Sequence, residues 1–205
     1  MKKKPSFTIG ICGHKDIISP AKDILSALKS FWAEILSQEK LHSIMLLDSL
    51  AVGSDQYVLE SKPDLIPYTA VLPFASEDYE KDFESPEAKQ TYREYLNEAS
   101  SIVIAGDERG NYVLASEYLL EHSDMILALW DCVIPEGTPA PGGSCDTITK
   151  ALAKGLPVIV IPIRRKKTYS NVKQDMFPEE RVPLKMKQDF SFERFSTRQI
   201  NDEQK

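Results

Sequence analysis

Short apolar runs alternate with stretches of helical spacing along most of the chain. The runs are typical of buried strands, whereas the stretches between them place apolar residues at i, i+3, i+4 and i+7, as on one face of a helix. Strands are predicted at 7–12, 43–47, 67–73, 101–105, 124–130 and 156–163. Helices are predicted at 21–36, in a short stretch ending at Ser61, at 112–121 and at 146–154.

Strands that alternate with helices in this way predict a parallel sheet with helices on both of its faces. The predicted fold class is therefore α/β, a Rossmann-like three-layer αβα sandwich with a mainly parallel sheet and right-handed crossovers. We assign residues 1–163 to this domain. Residues 164–205, where the pattern fades into scattered aromatics among charges, are predicted to form a basic C-terminal extension that is partly ordered or packed on the body.

Charge is distributed unevenly between these two parts. Residues 1–163 carry 14 basic and 24 acidic side chains, whereas residues 164–205 carry 11 basic and 7 acidic ones. An acidic body repels a polyanion, and the short basic run Arg164-Arg165-Lys166-Lys167 is more typical of a solvated segment than of a binding surface. We therefore expect no nucleic-acid partner.

Other classes are limited by apolar length and by cysteine usage. No apolar run approaches the roughly 18–20 residues of a membrane helix, so we expect no membrane partner. The run from Phe7 to Cys12 leads into a polar loop and is not typical of a signal peptide. The three cysteines form no CxxC pair and no zinc pattern. We expect a reducing, cytoplasmic location, no metal and no cofactor.

Three segments bring small and polar residues to the carboxyl ends of predicted strands, where ligands bind in open α/β sheets. They are residues 13–16, 49–55 and 131–147. In the third, Pro141-Gly142-Gly143-Ser144 precedes a helix, whose unpaired first-turn amides and dipole can hold a phosphate. Glycines also let the backbone approach such a ligand closely. The residues predicted to bind the phosphate or the rest of the ligand are Gly13, His14, Lys15, Asp16, Ser49, Gly53, Ser54, Asp55, Asp131, Gly142, Gly143, Ser144, Asp146 and Thr147.

Several of these side chains have structural alternatives. His14 beside Asp16 suggests acid–base chemistry, but without a nucleophile elbow a loop-capping role is favoured. Lys15 is either a phosphate contact or an exposed lysine.

Further alternatives stay open at the strand ends and the helix start. Asp48 and Asp131 each follow an apolar strand and are either ribose or cation ligands or turn residues. Asp146 suits a helix cap. Cys145 is either a thiol of lowered pKa at a helix start or inert filler, and Trp130 either stacks on a base or belongs to the core.

The order of these motifs resembles the SLOG superfamily. That group joins the lonely-guy phosphoribohydrolases, often mislabelled lysine decarboxylases, with the DNA-processing protein Smf and with nucleotide-sensing domains of bacterial defence systems. The resemblance covers residues 7–163. It implies a Rossmann-like fold, a glycine-rich loop that holds the phosphate of a nucleotide-like ligand, and a homodimer. The matching segments are 10–16, 49–55, 72–74 with Tyr79 and 82–83, 129–131 and 142–146.

The chain departs from the hydrolase motif PGGxGTxxE after its start. Cys145 stands where glycine is expected, Asp146 where threonine is, and Thr149 where the glutamate is. Without that carboxylate the catalytic residues are unassigned. The first hypothesis is therefore a protein that binds or senses a nucleotide or nucleotide-derived ligand. The alternatives are a nucleotide N-glycosidase that uses another carboxylate, such as Asp131 or Asp146, and a structural protein with a vestigial pocket.

Overall fold

A computed structural model describes residues 7–38, 43–166 and 172–175. A short 3₁₀ turn, Glu80–Asp82, lies between the third and fourth helices. The elements are β1 (Phe7–Gly13), α1 (Ala21–Leu36), β2 (Ile44–Asp48), α2 (Ser54–Ser61), β3 (Tyr68–Leu72), α3 (Ser76–Tyr79), α4 (Pro86–Glu98), β4 (Ser101–Ile104), α5 (Val113–His122), β5 (Met125–Trp130), β6 (Val133–Pro135), α6 (Ser144–Ala153), β7 (Val158–Pro162) and β8 (Val172–Asp175).

Six strands form one sheet in the order β4-β3-β2-β1-β5-β7. All its strand pairs are parallel, and β1 pairs with β2 through Phe7 and Ile44 and with β5 through Gly13 and Leu129. The chain builds outward from β1 to β4 and then returns to the other side of β1, so the direction of strand order reverses between β1 and β5. The predicted α/β class and Rossmann-like three-layer sandwich are confirmed.

Helices cover both faces of this sheet because each has one apolar face. On one side, α1 buries a stripe that includes Ile24, Leu28 and Ile35, and this stripe packs with residues of α2, α4 and the strands in one large core. On the other side, Leu120 of α5 and Ile148 of α6 join a second core beneath β5. No helix among the described residues is long and apolar enough to cross a membrane.

The structure adds elements that the hydrophobic pattern did not predict. Polar residues 76–98 contain α3, the 3₁₀ turn and α4, which begins at Pro86 behind the N-cap Ser85. β6 and β8 form a separate antiparallel pair, and β8 lies within residues 164–205. β6 has only three residues, too few to show a period. Residues 167–171 and 176–205 of the extension lie outside the described residues.

Candidate functional site

A cavity of about 680 Å³ opens at the carboxyl edge of the sheet, beside the reversal point between β1 and β5. Its walls come from the loops after β1 and β2, the segments that follow β3, the start of α5, the loop that leads into α6, and Arg165. The predicted site residues that line it are Gly13, His14, Lys15, Ser49, Asp55, Gly142, Gly143, Ser144 and Thr147. The other predicted site residues, Asp16, Gly53, Ser54, Asp131 and Asp146, do not line it.

Gly53 and Ser54 serve to join the first two loops. The Ser54 hydroxyl donates to the carbonyl oxygen of His14 at 2.8 Å, and the Ser54 amide donates to the same oxygen at 3.1 Å. Gly53 has φ +90°, and a Cβ there would lie 2.7 Å from the carbonyl oxygen of His14 and from the Cα of Lys15. These residues therefore hold two cavity walls together, which is a structural role.

The start of α6 faces the cavity with its backbone. Gly143 is the N-cap residue and has no side chain that could accept a first-turn amide proton. The Ser144 hydroxyl donates to the carbonyl oxygen of Gly13, which fixes α6 against the end of β1. The Asp146 carboxylate instead accepts the Gly142 amide proton at 2.9 Å and pairs with Lys150 at 2.8 Å. Asp146 thus fits the predicted cap alternative.

His14 pairs with a different carboxylate from the one the sequence suggested. Its Nε2 lies 3.0 Å from Oδ1 of Asp131, because β1 and β5 are neighbours and their ends meet. Asp16 pairs with Arg165, whose Nη2 lies 2.8 Å from Oδ1 of Asp16, and Nη1 of Arg165 lies 3.9 Å from Oδ2 of Asp131. The loop after β1, the end of β5 and the segment after β7 are therefore tied together by one ionic network.

Two buried aspartates lie at either end of the loop after β2. Asp55 lines the cavity at 5% exposure and accepts the Ala51 amide proton, and burial raises its pKa to about 7. Asp48 is fully buried, accepts the Leu50 amide proton through Oδ1, and has no partner for Oδ2 among the described residues. Burial, followed by the charge of Asp55, raises the pKa of Asp48 well above its usual value. Asp48 does not line the cavity, so the structure gives no support to a ligand role for it.

Burial distinguishes between the two roles that the sequence left open for each of Cys145 and Trp130. Cys145 is buried, and burial raises its pKa to about 11 even though it lies in the first turn of α6. Burial likewise raises the pKa of Cys12, which also lines the cavity. Trp130 is fully buried in the core beneath α6 and does not line the cavity. Cys12 and Cys145 are therefore buried thiols without a lowered pKa, as expected of inert packing residues, and Trp130 is a core residue.

Three aromatic side chains form part of the cavity wall. Tyr79, Phe83 and Tyr112 line the cavity, and their rings meet edge to face. The Tyr112 hydroxyl donates to Oδ2 of Asp82 at 2.6 Å, and burial together with that carboxylate raises the pKa of Tyr112 to about 12. Tyr112 and Arg165 were not predicted as site residues. Tyr112 follows β4 and the Gly106-Asp107 segment, the same kind of loop that supplied the other site residues, so this signal could have found it. Arg165 belongs to the basic run that was interpreted as solvated.

Among residues 7–38 and 43–166, no group of three or more His, Cys, Asp or Glu side chains has the arrangement needed to hold a metal ion.

Comparison with known proteins identifies a shared fold. No protein-family model and no curated protein sequence matches the chain. DNA processing protein A from Helicobacter pylori, a protein with a single-stranded DNA binding mode, matches with a TM-score of 0.51 and 13% identity over 80% of this chain and 68% of that chain. TM1055, a structural genomics target, matches with a TM-score of 0.40 and 15% identity over 74% and 72% of the two chains. At this identity the first likeness shows a shared α/β fold.

The expectation of no nucleic-acid partner, which was inferred from the net charge, is wrong. A protein with a similar fold, DNA processing protein A, binds single-stranded DNA. The physical reason is that net charge averages over the whole surface, whereas a strand is bound by the local field of a groove. At this cavity the local groups include Lys15, Arg165 and the backbone amides at the start of α6.

Proposed function

We propose that this protein binds a nucleotide or nucleotide-derived ligand in the cavity, with a phosphate of the ligand at the first turn of α6. The observation that carries the proposal is that the cavity opens onto a helix start whose N-cap residue is a glycine, lined by Gly143, Ser144 and Cys145. The first-turn amides of such a helix have no intrahelical acceptors, and its dipole favours an anion.

The cavity is lined by two basic side chains, Lys15 and Arg165, and by three acidic ones, Asp55, Asp82 and Glu136. Lys15 is exposed at the cavity, and the Arg165 side chain forms part of its wall while it remains paired with Asp16. The carboxyl groups of Asp48 and Asp55 have raised pKa values, so they carry less negative charge near neutral pH than their number suggests. The cavity is therefore less repulsive to a phosphate than the net charge of −6 implies.

The size and composition of the cavity also suit a nucleotide. Its volume of about 680 Å³ lies within the range of roughly 300–1,000 Å³ that is typical of small-molecule sites. Aromatic rings on one wall and amides with basic groups on another match a ligand that has a flat base at one end and a phosphate at the other.

A single-stranded DNA end is a second candidate ligand, favoured by the likeness in fold to DNA processing protein A. A terminal nucleotide of a strand presents the same chemistry as a free nucleotide, a phosphate and an aromatic base. The same amides and rings would then hold one residue of the strand.

Cleavage of an N-glycosidic bond is a further candidate function. Asp55 is better placed for it than Asp131 or Asp146, the carboxyl groups suggested by the sequence. Asp131 is paired with His14, Asp146 with Gly142 and Lys150, and neither lines the cavity. Asp55 does line it, and its pKa of about 7 suits a general acid or base near neutral pH.

The test combines a ligand panel with one charged variant. Mononucleotides, cyclic dinucleotides, ADP-ribose derivatives and a short single-stranded oligonucleotide are compared by thermal shift and calorimetry. A ligand at 100 times its Kd adds roughly 2.7 kcal/mol of stability. Gly143→Asp places a carboxylate beside the proposed phosphate and should abolish binding. The fold should persist, because Gly143 has φ −79° and aspartate is a favoured N-cap residue.

Ser85→Asp is the matched control. It adds the same charge at the N-cap of α4, and Ser85 does not line the cavity, so binding should be unchanged. Release of free base from a nucleoside monophosphate would favour the hydrolase. Unaltered affinity in Gly143→Asp, or silence across the whole panel, would contradict the proposed site.

A further inference from the structure

The aromatic wall of the cavity differs in chemistry from the start of α6 and lies directly beside it. A Cβ on Gly142 would lie 2.8 Å from the carbonyl carbon of Tyr112, so the backbone of Tyr112 touches the glycine turn. The Tyr112 ring packs edge to face with Phe74, with ring centroids 5.6 Å apart. The glycine turn and the aromatic ring are thus two adjoining surfaces of one cavity.

Tyr112 is positioned as a platform and is not part of the core. It is 39% exposed, whereas its neighbours Phe74 and Tyr79 are buried at 1% and 4%. Its ring is held in place by Phe74 and Tyr79 and by the hydrogen bond from its hydroxyl to Asp82. A rigid aromatic ring of this kind, with one surface left open in a cavity, is the usual support for a stacked base.

Asp82 supplies hydrogen-bond acceptors at the edge of this platform. It lines the cavity, Oδ2 accepts from the Tyr112 hydroxyl, and Oδ1 lies 3.3 Å from Nη2 of Arg109. A carboxylate offers about four acceptor positions, so each oxygen retains one after these contacts. Two adjacent acceptors match a base edge with two adjacent donors, which guanine presents through N1–H and its amino group. Uracil, whose single N–H stands between two carbonyl oxygens, matches poorly.

We propose that Tyr112 and Asp82 form the base subsite of this cavity, with Tyr112 stacking on the base and Asp82 selecting bases that present hydrogen-bond donors. This inference rests on the proposed function, since the base is that of the ligand whose phosphate lies at α6. It names the chemical class of the ligand more closely, as a nucleotide with a donor-bearing base such as guanine.

The test compares guanosine monophosphate, uridine monophosphate and ribose 5-phosphate by calorimetry. The wild-type protein should bind guanosine monophosphate most tightly. Tyr112→Leu should weaken guanosine monophosphate binding by about 5- to 150-fold, since a base stack contributes on the order of 1–3 kcal/mol. The same variant should change ribose 5-phosphate binding by less than about twofold, because that ligand has no base to stack.

Two conservative variants separate the ring from its hydrogen bonds. Tyr112→Phe keeps the ring and should retain most of the affinity. Asp82→Asn keeps the shape but replaces one acceptor with a donor, so the preference for guanosine over uridine monophosphate should fall by about tenfold. Circular dichroism and the unfolding midpoint verify that each variant is folded.

The outcomes distinguish this inference from the function on which it rests. If Tyr112→Leu weakens guanosine monophosphate and ribose 5-phosphate equally, or weakens neither, the base subsite is wrong while the phosphate site stands. An unchanged base preference in Asp82→Asn overturns the selecting role of that carboxylate. If the wild-type protein binds none of the three ligands but binds another member of the wider panel, the guanine subsite is wrong while the proposed function stands. Silence across the whole panel overturns both.

Discussion

Asp55 is a carboxyl group held where little water reaches it. Its pKa is raised from 3.8 to about 7, chiefly by burial and against the effect of its backbone hydrogen bonds. Asp48 also has a raised pKa, and burial is again the largest cause. The folded protein therefore keeps a proton here over a pH range in which the unfolded chain has lost it. This difference links the stability of the fold to pH.

We expect the free energy of unfolding to fall as the pH rises from about 4 to about 7. The contribution of Asp55 is fully present below its unfolded pKa of 3.8 and is lost as the pH passes through about 7. Asp55→Asn should remove much of this slope and stabilise the protein near pH 7 by on the order of a few kcal/mol, since one pKa unit corresponds to about 1.4 kcal/mol. Urea unfolding at several pH values between about 4 and about 8 measures the free energy of unfolding of both proteins.

Asp78→Asn is the control for this slope. Asp78 is an exposed carboxylate whose pKa is lowered by its hydrogen bond and charge pairing with Lys81. Its contribution is present above pH 3.8 and is lost only at more acidic pH, so the variant should leave the slope between pH 4 and 7 intact. A wild-type stability that rises over this range would show that Asp55 is ionised in the folded protein.

The candidate site could be predicted from the sequence only where a residue follows a strand. Gly13, Ser49 and Gly142 lie in such loops, and the parallel topology brings these loops to one edge. Tyr112 and Arg165 reach the same cavity from the start of α5 and from the chain beyond β7. Tyr112 follows the Gly106-Asp107 segment after β4 and Arg165 lies in a basic run, but neither signal alone specifies a contact with the cavity. The pairing of His14 with Asp131 likewise depends on β1 and β5 being neighbours, which strand order alone decides.

At the scale of elements, the turn before α6 is fixed by its contact with α5. Gly142 has φ +72°, and the space where a Cβ would lie is filled by backbone atoms of Tyr112 and Val113 at 2.8 Å. Backbone atoms cannot move aside as the end of a flexible side chain can. The residue is therefore a glycine for two separate reasons, its dihedral angle and the close packing of two elements.

Gly142→Ala should lower the free energy of unfolding by about 2–4 kcal/mol, from the strained dihedral and the contact together. Gly110→Ala is the matched control, because Gly110 has φ +85° but open space around its Cβ position. It should cost only about 1 kcal/mol, from the dihedral alone. Urea midpoints and slopes for both variants provide the measurement, and equal losses would show that α5 yields to the added methyl group.

The elements themselves were predictable to the extent that their apolar pattern was regular. The predicted bounds of α1, 21–36, are those observed, because Ile24, Leu28 and Ile35 lie on one face of the helix. α4 buries little apart from Tyr92, so its pattern was weak and its start depended on the cap Ser85 and on Pro86. β6 and β8 are short and pair across distant parts of the chain, a contact that no local pattern records.

At the scale of the whole molecule, the net charge of −6 describes the average surface and not the cavity. The basic side chains that line the cavity, within the described part of the chain, are Lys15 and Arg165. Arg165 is also paired with Asp16, so its charge is already partly balanced. A cavity with these groups contacts one or two phosphates, whether they belong to a free nucleotide or to the end of a strand.

So few phosphate contacts predict that the affinity depends only weakly on salt concentration. For a single-stranded oligonucleotide, contacts with one or two phosphates should lower the affinity by about 3- to 7-fold between about 50 and about 200 mM salt, since each phosphate contributes a slope of roughly −0.7 for single strands. Titrations of a nucleoside monophosphate and of a single-stranded oligonucleotide at four salt concentrations measure both slopes. Lys15→Gln should make each slope shallower, and Lys62→Gln, at a lysine that does not line the cavity, should leave both unchanged. A loss of a hundredfold or more for the oligonucleotide alone would place most of its phosphate contacts outside the cavity, because two contacts cannot release that many counterions.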